Sequence, residues 1–169
     1  MPGRPLIVGI AGGSGAGKTT FSTKLRDALG HSICQFISQD NYYIDQSDKF
    51  TEDGGDVNFD DPSALEFTLL ERHLADLSHG RTVDIPIYDF ASHTRSKKTM
   101  RVQPAPVILV DGTLILSKPA SISHFDIRIF NPMLFQGFYC TITKCFGNGI
   151  IPLRNNQVNS KRTAIGHSI

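Results

Sequence analysis

The sequence predicts an α/β fold in which a parallel sheet is flanked by helices. Two observations carry that expectation. Short apolar or β-branched runs recur at 6–10 (LIVGI), 33–37 (ICQFI) and 107–110 (VILV), as in strands buried within a sheet. Helical segments with recognisable end signals separate them, and strands alternating with helices argue for parallel pairing through crossovers.

Each element has a local reason. The strand at 6–10 runs into a glycine-rich turn, and a helix is expected from about 18 to 28, closed by Gly30. The strand at 33–37 ends in Ser38-Gln39-Asp40. Residues 45–57 (DQSDKFTEDGGDV) are polar and acidic and read as a solvated loop. Asp61-Pro62 offers an N-cap and a proline at the first helical position. The helix expected to follow carries Leu70, Leu74 and Leu77 on one face and stops at Gly80. Residues 83–88 read as extended. The run at 107–110 ends in Asp111-Gly112, and 126–130 (DIRIF) reads as a last strand.

Composition bounds the function. The chain has 169 residues, 40% hydrophobic and 20% charged, which suits one domain and excludes collagen-like, disulfide-scaffold and disordered classes. No apolar run approaches the roughly 20 residues that cross a bilayer. The start, MPGRPL, lacks the apolar region of a signal peptide, and three scattered cysteines make no disulfide framework. A cytoplasmic location without membrane contact is the expectation. Charge is uneven: all 16 acidic residues lie between Asp27 and Asp126, while 131–169 carries four basic residues and no acid. Those four cations are dispersed, so nucleic-acid binding is not expected.

Gly12-Gly13-Ser14-Gly15-Ala16-Gly17-Lys18-Thr19 fits G-x-x-x-x-G-K-[ST] at every defined position. Glycines let the backbone wrap closely and turn N–H groups towards phosphate oxygens. The helix opening near Lys18 adds its positive end. Lys18 would bridge the β- and γ-phosphates of a nucleoside triphosphate, and the Thr19 hydroxyl, followed by Thr20, would ligate Mg²⁺. The bland alternative is a strand–helix turn without ligand. A strand before and a helix after favour the phosphate loop, and no dinucleotide G-x-G-x-x-G can be read here.

Asp111, closing an apolar strand, is positioned to hold the Mg²⁺ shell, although an Asp there alone is more often a turn former. The guanine-reading N-K-x-D segment of small GTPases is absent. Transfer to a small hydroxyl acceptor requires a carboxylate that takes the hydroxyl proton. Asp40, ending the second strand, is the candidate.

Five segments then resemble one family. GGSGAGKTT at 12–20, SQDNYY at 38–43, NFDDP at 58–62, IPIYDFASHTR at 85–95 and VILVDGTLIL at 107–116 occur in the order and spacing of uridine kinases, of the phosphoribulokinase/uridine kinase group. The resemblance covers roughly residues 4–130. It implies a P-loop kinase fold and transfer of the γ-phosphoryl of ATP, or GTP in some members, to the 5′-hydroxyl of uridine or cytidine. It further implies Asp40 as catalytic base, Tyr43 beside the acceptor and Asp60 on the ribose hydroxyls. Tyr88, Phe90 and His93 would pack against and hydrogen-bond the pyrimidine, and Arg95 receives no role. The related nicotinamide riboside kinases supply an alternative acceptor, which IPIYDFASHTR disfavours. Asp111-Gly112 departs mildly from the family's common Glu-Gly.

After Phe130 the likeness ends. The family continues into an arginine-rich lid and a last strand, whereas this chain reads Asn131-Pro132-Met133 and has no Arg between Arg128 and Arg154. Pro132, Gly137, Gly147, Gly149 and Pro152 argue against a long helix. The expectation is therefore a nucleoside-kinase portion at 1–130, lacking the family's lid and last strand, followed by a divergent tail at 131–169. A change of splicing or reading frame would explain such a break. Cys140 and Cys145, with His167, are read as free side chains rather than a metal site. Two readings result: an active kinase using Lys18, Thr19, Asp40 and Asp111, or a nucleotide-binding module with impaired catalysis. Uridine kinases are often homo-oligomers, but the sequence leaves this chain's oligomeric state open.

Overall fold

The structure, a computed structural model, describes residues 3–47, 58–131, 141–146 and 149–152, the last two stretches as backbone. In chain order the elements are β1 (Leu6–Ala11), α1 (Lys18–Leu29), β2 (Cys34–Ser38), a 3₁₀ turn (Gln39–Tyr42), a second 3₁₀ turn (Pro62–Ala64) and α2 (Phe67–Ser78). They continue with β3 (Val83–Asp89), β4 (Thr94–Val102), β5 (Val107–Gly112), the one-turn α3 (Pro119–Ile122), β6 (Ile127–Phe130), β7 (Thr141–Phe146) and β8 (Gly149–Pro152).

Six strands form one sheet in the order β2-β5-β1-β6-β7-β8. The first four are parallel, as the apolar runs predict. Alternate residues of these strands feed two cores. Ile7, Ile37, Ile108 and Val110 pack with Leu70, Leu74 and Leu77 of α2, while Val8, Ile10, Leu109 and Ile129 pack with Phe21 and Leu25 of α1. Burial on both faces explains why these strands read as continuous apolar runs.

Three parts of the chain differ from the sequence expectation, one being that the strand at 126–130 is not the last, since β7 and β8 follow it in the same sheet. The helix expected from Asp61-Pro62 starts instead at Phe67. The Asp61 side chain accepts from Ser63 N at 2.8 Å, capping only a 3₁₀ turn, and Leu65 then turns extended to bridge Tyr43. Residues 94–102 (TRSKKTMRV), given no assignment from sequence, form β4. Its five residues 97–101 are exposed, so the strand carries little hydrophobic alternation. Pairing with β3 creates it: the antiparallel register runs from Val83↔Val102 to Asp89↔Thr94, with an irregularity between Pro86 and Tyr88. A proline cannot donate to the ladder, and such positions accommodate bulges.

Beyond Phe130, β7 pairs antiparallel with β6 from Phe130↔Thr141 to Ile127↔Lys144, and β8 pairs antiparallel with β7. Most of the acidic loop, the side chains of Cys140 and Cys145, and His167 lie outside the described residues.

Register sets the position of the site. Asp111 is level with Ile10 on one side and Ser38 on the other, bringing the C-terminal ends of β1, β5 and β2 to one edge. The chain leaves β1 towards β2 and leaves β5 towards β6, in opposite directions across the sheet. That divergence opens a crevice outside the strand ends, the usual ligand position in open α/β sheets.

Candidate active site

The loop after β1 is shaped to receive an anion. Gly15 and Gly17 have φ of 74° and 77°, in the left-handed region where a side chain would be strained. Gly17 caps α1 without a side-chain hydrogen bond, and the first turn carries no acid. The leading amides of α1 thus lack a side-chain acceptor and sit at the helix's positive end. Ala16 N donates to Gly13 O at 3.2 Å, and Lys18 Nζ to the same carbonyl at 2.8 Å. Gly12 is buried and Gly13 half-buried, while Ser14, Gly15, Gly17, Thr19 and Thr20 are exposed and Ala16 and Lys18 half-buried.

Beside this loop, Thr19 Oγ1 donates to Asp111 Oδ2 at 2.9 Å. Asp111 is 2% exposed. Burial pushes its carboxyl above the ordinary range and the Asp40 charge adds to this, while hydrogen bonds from Thr19 and Ser38 and the Lys18 charge oppose it. Asp40, in the 3₁₀ turn after β2, is accessible to solvent yet crowded by protein. Desolvation raises its carboxyl and Lys18 lowers it. Lys18 and Asp40 therefore both lie within electrostatic reach of Asp111.

This donor set fits Mg²⁺. One hydroxyl and one carboxylate oxygen stand side by side, and among the described residues no group of three or more His, Cys, Asp or Glu could cage a metal. Mg²⁺ commonly takes one or two protein oxygens and completes its shell with phosphate and water.

Ring-bearing side chains gather beyond Asp40. Tyr43 meets Phe59, Tyr88 and Phe90 at centroid distances of 5.0, 5.4 and 5.8 Å. Phe59 stacks on His93 at 5.5 Å and 29°, and Tyr88 meets Phe90 at 5.0 Å. The Tyr43 hydroxyl donates to Phe59 O at 3.1 Å. Its pKa is pushed up to about 12 by burial, then by the Asp40 and Asp60 charges and by Tyr88. Both carboxylates are thus within electrostatic reach of Tyr43. Asp60 is exposed, with its backbone N–H donating to Asn58 Oδ1 at 3.0 Å. The buried Tyr88 hydroxyl has no hydrogen-bond partner among the described residues. Phe90 is 47% exposed despite its apolar ring. His93 holds φ 53°, uncommon for a residue with a side chain and a feature that concentrates at ligand sites.

The structure brings all the sequence-predicted site residues to this one region. It adds others that sequence reading missed. Phe59 is in the centre of the ring group, and its signal was a lone aromatic within the polar segment NFDDP. Arg95 is a strut: its guanidinium reaches Glu66 Oε2 at 2.5 Å and the carbonyls of Tyr42 and Tyr43 at 3.2 and 2.9 Å. It ties the hairpin to the segment that follows Asp40. Gln39, 2% exposed, accepts from Leu114 N at 3.0 Å and fills the space a Cβ on Gly112 would need. It joins the turn carrying Asp40 to the loop after Asp111. No spacing in the sequence announces either contact.

The chain is similar to known proteins over most of its length. The model of the "Phosphoribulokinase / Uridine kinase family" matches residues 7–132. The chain is 41% identical over 127 residues to a uridine kinase of Limosilactobacillus reuteri, covering 75% of this chain and 58% of that protein. It is 43% identical over 128 residues to a uridine kinase of Ligilactobacillus salivarius, covering 75% and 60%. The chain therefore spans about three-fifths of the length of these relatives. Among solved structures it resembles the "Possible Uridine Kinase from Bacillus stearothermophilus", with a TM-score of 0.61, 23% identity, and coverage of 77% of this chain and 71% of that one.

Proposed function

The chain belongs to the phosphoribulokinase/uridine kinase family, and from that premise we propose that its site transfers the γ-phosphoryl group of ATP to the 5′-hydroxyl of uridine or cytidine. The observation that carries this reading is the Thr19–Asp111 contact beside the glycine-rich loop, with Ser38 level with Asp111 and the chain passing from there through Asp40 to the rings around Tyr43.

Mg²⁺, when bound, neutralises charge on the phosphates and orients them. On this reading Thr19 and Asp111 hold it, directly or through water. The glycine-rich loop and the first turn of α1 cradle the phosphates, and Lys18 exchanges the Gly13 carbonyl for phosphate oxygens. Asp60 accepts hydrogen bonds from the ribose hydroxyls. Tyr43, Phe59, Tyr88, Phe90 and His93 provide flat surface and polar edges for a pyrimidine. Asp40 takes the proton of the attacking hydroxyl as the new O–P bond forms and the bond from the γ-phosphorus to the leaving ADP breaks. A raised carboxyl pKa suits a base by bringing its affinity for the proton closer to that of the group it serves.

Residues 1–130 would carry this chemistry, with 131–169 a divergent continuation. A second reading, nucleotide binding with impaired transfer, is favoured by one observation: no arginine occurs between Arg128 and Arg154, where the family places phosphate-embracing cations. A coupled assay of the full chain with ATP, Mg²⁺ and uridine or cytidine, with Asp40→Asn as control, decides between them. Turnover abolished by Asp40→Asn supports the kinase. ATP binding without turnover supports the second reading.

A further inference from the structure

We infer that Asn131 is a positioning residue that locks the peptide between Ala16 and Gly17 in the orientation needed for phosphate binding. The inference rests on reading the glycine-rich loop as a phosphate site. It concerns a residue for which neither the sequence motifs nor the proposed chemistry has a role.

Three contacts converge on this side chain and its backbone. Asn131 N donates to Ala11 O at 2.8 Å, extending the β1–β6 ladder one residue past Phe130 and fixing Asn131 beside the root of the loop. Its carbonyl oxygen occupies the space a Cβ on Gly12 would need, so loop and brace are in direct backbone contact. Its side-chain Nδ2 donates to Ala16 O at 2.8 Å. Asn131 is 9% exposed, so this bond is shielded from competing water.

The Ala16 carbonyl is the sensitive point. In a trans peptide the C=O and the following N–H point in opposite directions. Holding Ala16 O against Asn131 therefore aims Gly17 N–H away from Asn131. Gly17 has φ 77°, and a glycine can pass between left- and right-handed conformations at little steric cost. The peptide before it, like the one before Gly15, can therefore flip at little cost, and a flip would present a carbonyl to a phosphate instead of an amide. Ala16 N is already tied to Gly13 O at 3.2 Å, so the Asn131 bond fixes the other side of the same residue.

The test uses the full chain with Asn131→Ala, which removes the donor, and Asn131→Asp, which keeps the shape and replaces the donor by an acceptor. Binding of Mg·ATP and of uridine is measured by calorimetry, and the order parameter of the Gly17 N–H vector by NMR relaxation without ligand. Loss of one part-buried hydrogen bond predicts ATP affinity about three- to tenfold weaker, with the larger effect in Asn131→Asp, and uridine affinity unchanged. The Gly17 order parameter falls in both variants. ATP affinity within twofold of the parent, an unchanged Gly17 order parameter, or parallel loss of ATP and uridine affinity would overturn the inference. Should the parent chain bind no ATP, the functional reading fails, and the relaxation measurement still decides whether Asn131 locks the peptide.

Discussion

Thr19 Oγ1 donates to Asp111 Oδ2 at 2.9 Å, joining the start of α1 to the end of β5 across 92 positions of sequence. The parallel register that sets Asp111 beside Ile10 makes this meeting unavoidable, because Thr19 follows β1 by one turn of loop. In the ligand-free protein the hydroxyl satisfies a carboxylate that burial otherwise disfavours. A cation entering between them would take over both oxygens.

Replacing Asp111 by Asn should separate stability from activity. Its carboxyl pKa is raised in the fold, so the native state binds this proton more tightly than the unfolded chain. Stability is then fully present below the unfolded value, roughly 3.9, and falls as pH rises through the folded one. Asp111→Asn removes that loss and should raise the ligand-free Tm at pH 7, by roughly 2–4 °C for each kcal/mol recovered in a chain of this size. Mg²⁺-dependent transfer should fall by about 10²–10³-fold, the scale for removing one preorganised electrostatic contact. Calorimetry and the coupled assay check both, and a lower Tm at pH 7 would contradict the argument.

Asp40 should titrate above the ordinary carboxylate range, because desolvation outweighs the lowering by Lys18. If it is the base, kcat/KM rises with pH through that value. Lys18→Met removes the stabilising charge and should move the Asp40 titration higher still, as read from its carboxyl carbon by NMR. An unchanged titration would show that Lys18 does not act on Asp40.

Phe59 and Phe90 should divide packing from recognition. Phe59 touches Tyr43, Tyr88, Phe90 and His93, so Phe59→Ala should cost about 1–3 kcal/mol of stability, less than a fully buried Phe because it is only half-buried. Phe90 is 47% exposed, and Phe90→Ala should cost under about 1 kcal/mol while raising the nucleoside KM about tenfold. Denaturant unfolding with steady-state kinetics tests the pair. A large stability loss in Phe90→Ala would assign that ring to packing.

What could be read from sequence follows from where each signal is encoded. The glycines at 12–17 and the apolar run before Asp111 are local requirements of backbone conformation and burial, so they show directly in residue type. β4 was invisible because TRSKKTMRV gains its strand conformation from pairing with β3, not from its own pattern. Asp61-Pro62 was a true cap signal attached to the wrong element, since cap chemistry specifies how a turn begins and not how far it propagates. Arg95 and Gln39 act across 52 and 75 positions respectively, through contacts that only the tertiary fold creates. Motif resemblance reached the rings and carboxylates but stopped short of the side chains that hold them in place.

Arg95 should behave as a support whose loss is felt at Asp40. Its guanidinium binds Glu66 and two carbonyls, and lysine cannot reproduce that fork. Because Glu66 is 40% exposed, the charge pairing is partly screened, and Arg95→Lys should cost about 1–2 kcal/mol, chiefly from the carbonyls left unpaired. Both KM for nucleoside and kcat should worsen, since Tyr42 and Tyr43 lie two and three residues after Asp40. Unchanged kinetics in a destabilised Arg95→Lys chain would confine the strut to folding.

His73 should make the same turn sensitive to mild acid. Its Nδ1 lies 3.0 Å from the Tyr42 hydroxyl, an edge-on contact between two buried rings. Burial lowers its pKa and Arg72 adds to this, with Asp76, Glu66 and Asp84 opposing. The unfolded chain, with histidine near roughly 6.5, therefore takes up this proton before the native state does. Stability is full above that pH and declines as pH falls through it, because native His73 must remain neutral while the unfolded form gains a proton. Protonation also makes both ring nitrogens donors, so the Tyr42 hydroxyl can only accept in this contact and must turn its own proton elsewhere. The Tm should drop between pH 7.5 and 5.5 (about one unit either side of that unfolded value), and His73→Gln should flatten the drop. An equal pH slope in parent and His73→Gln would place the acid sensitivity elsewhere.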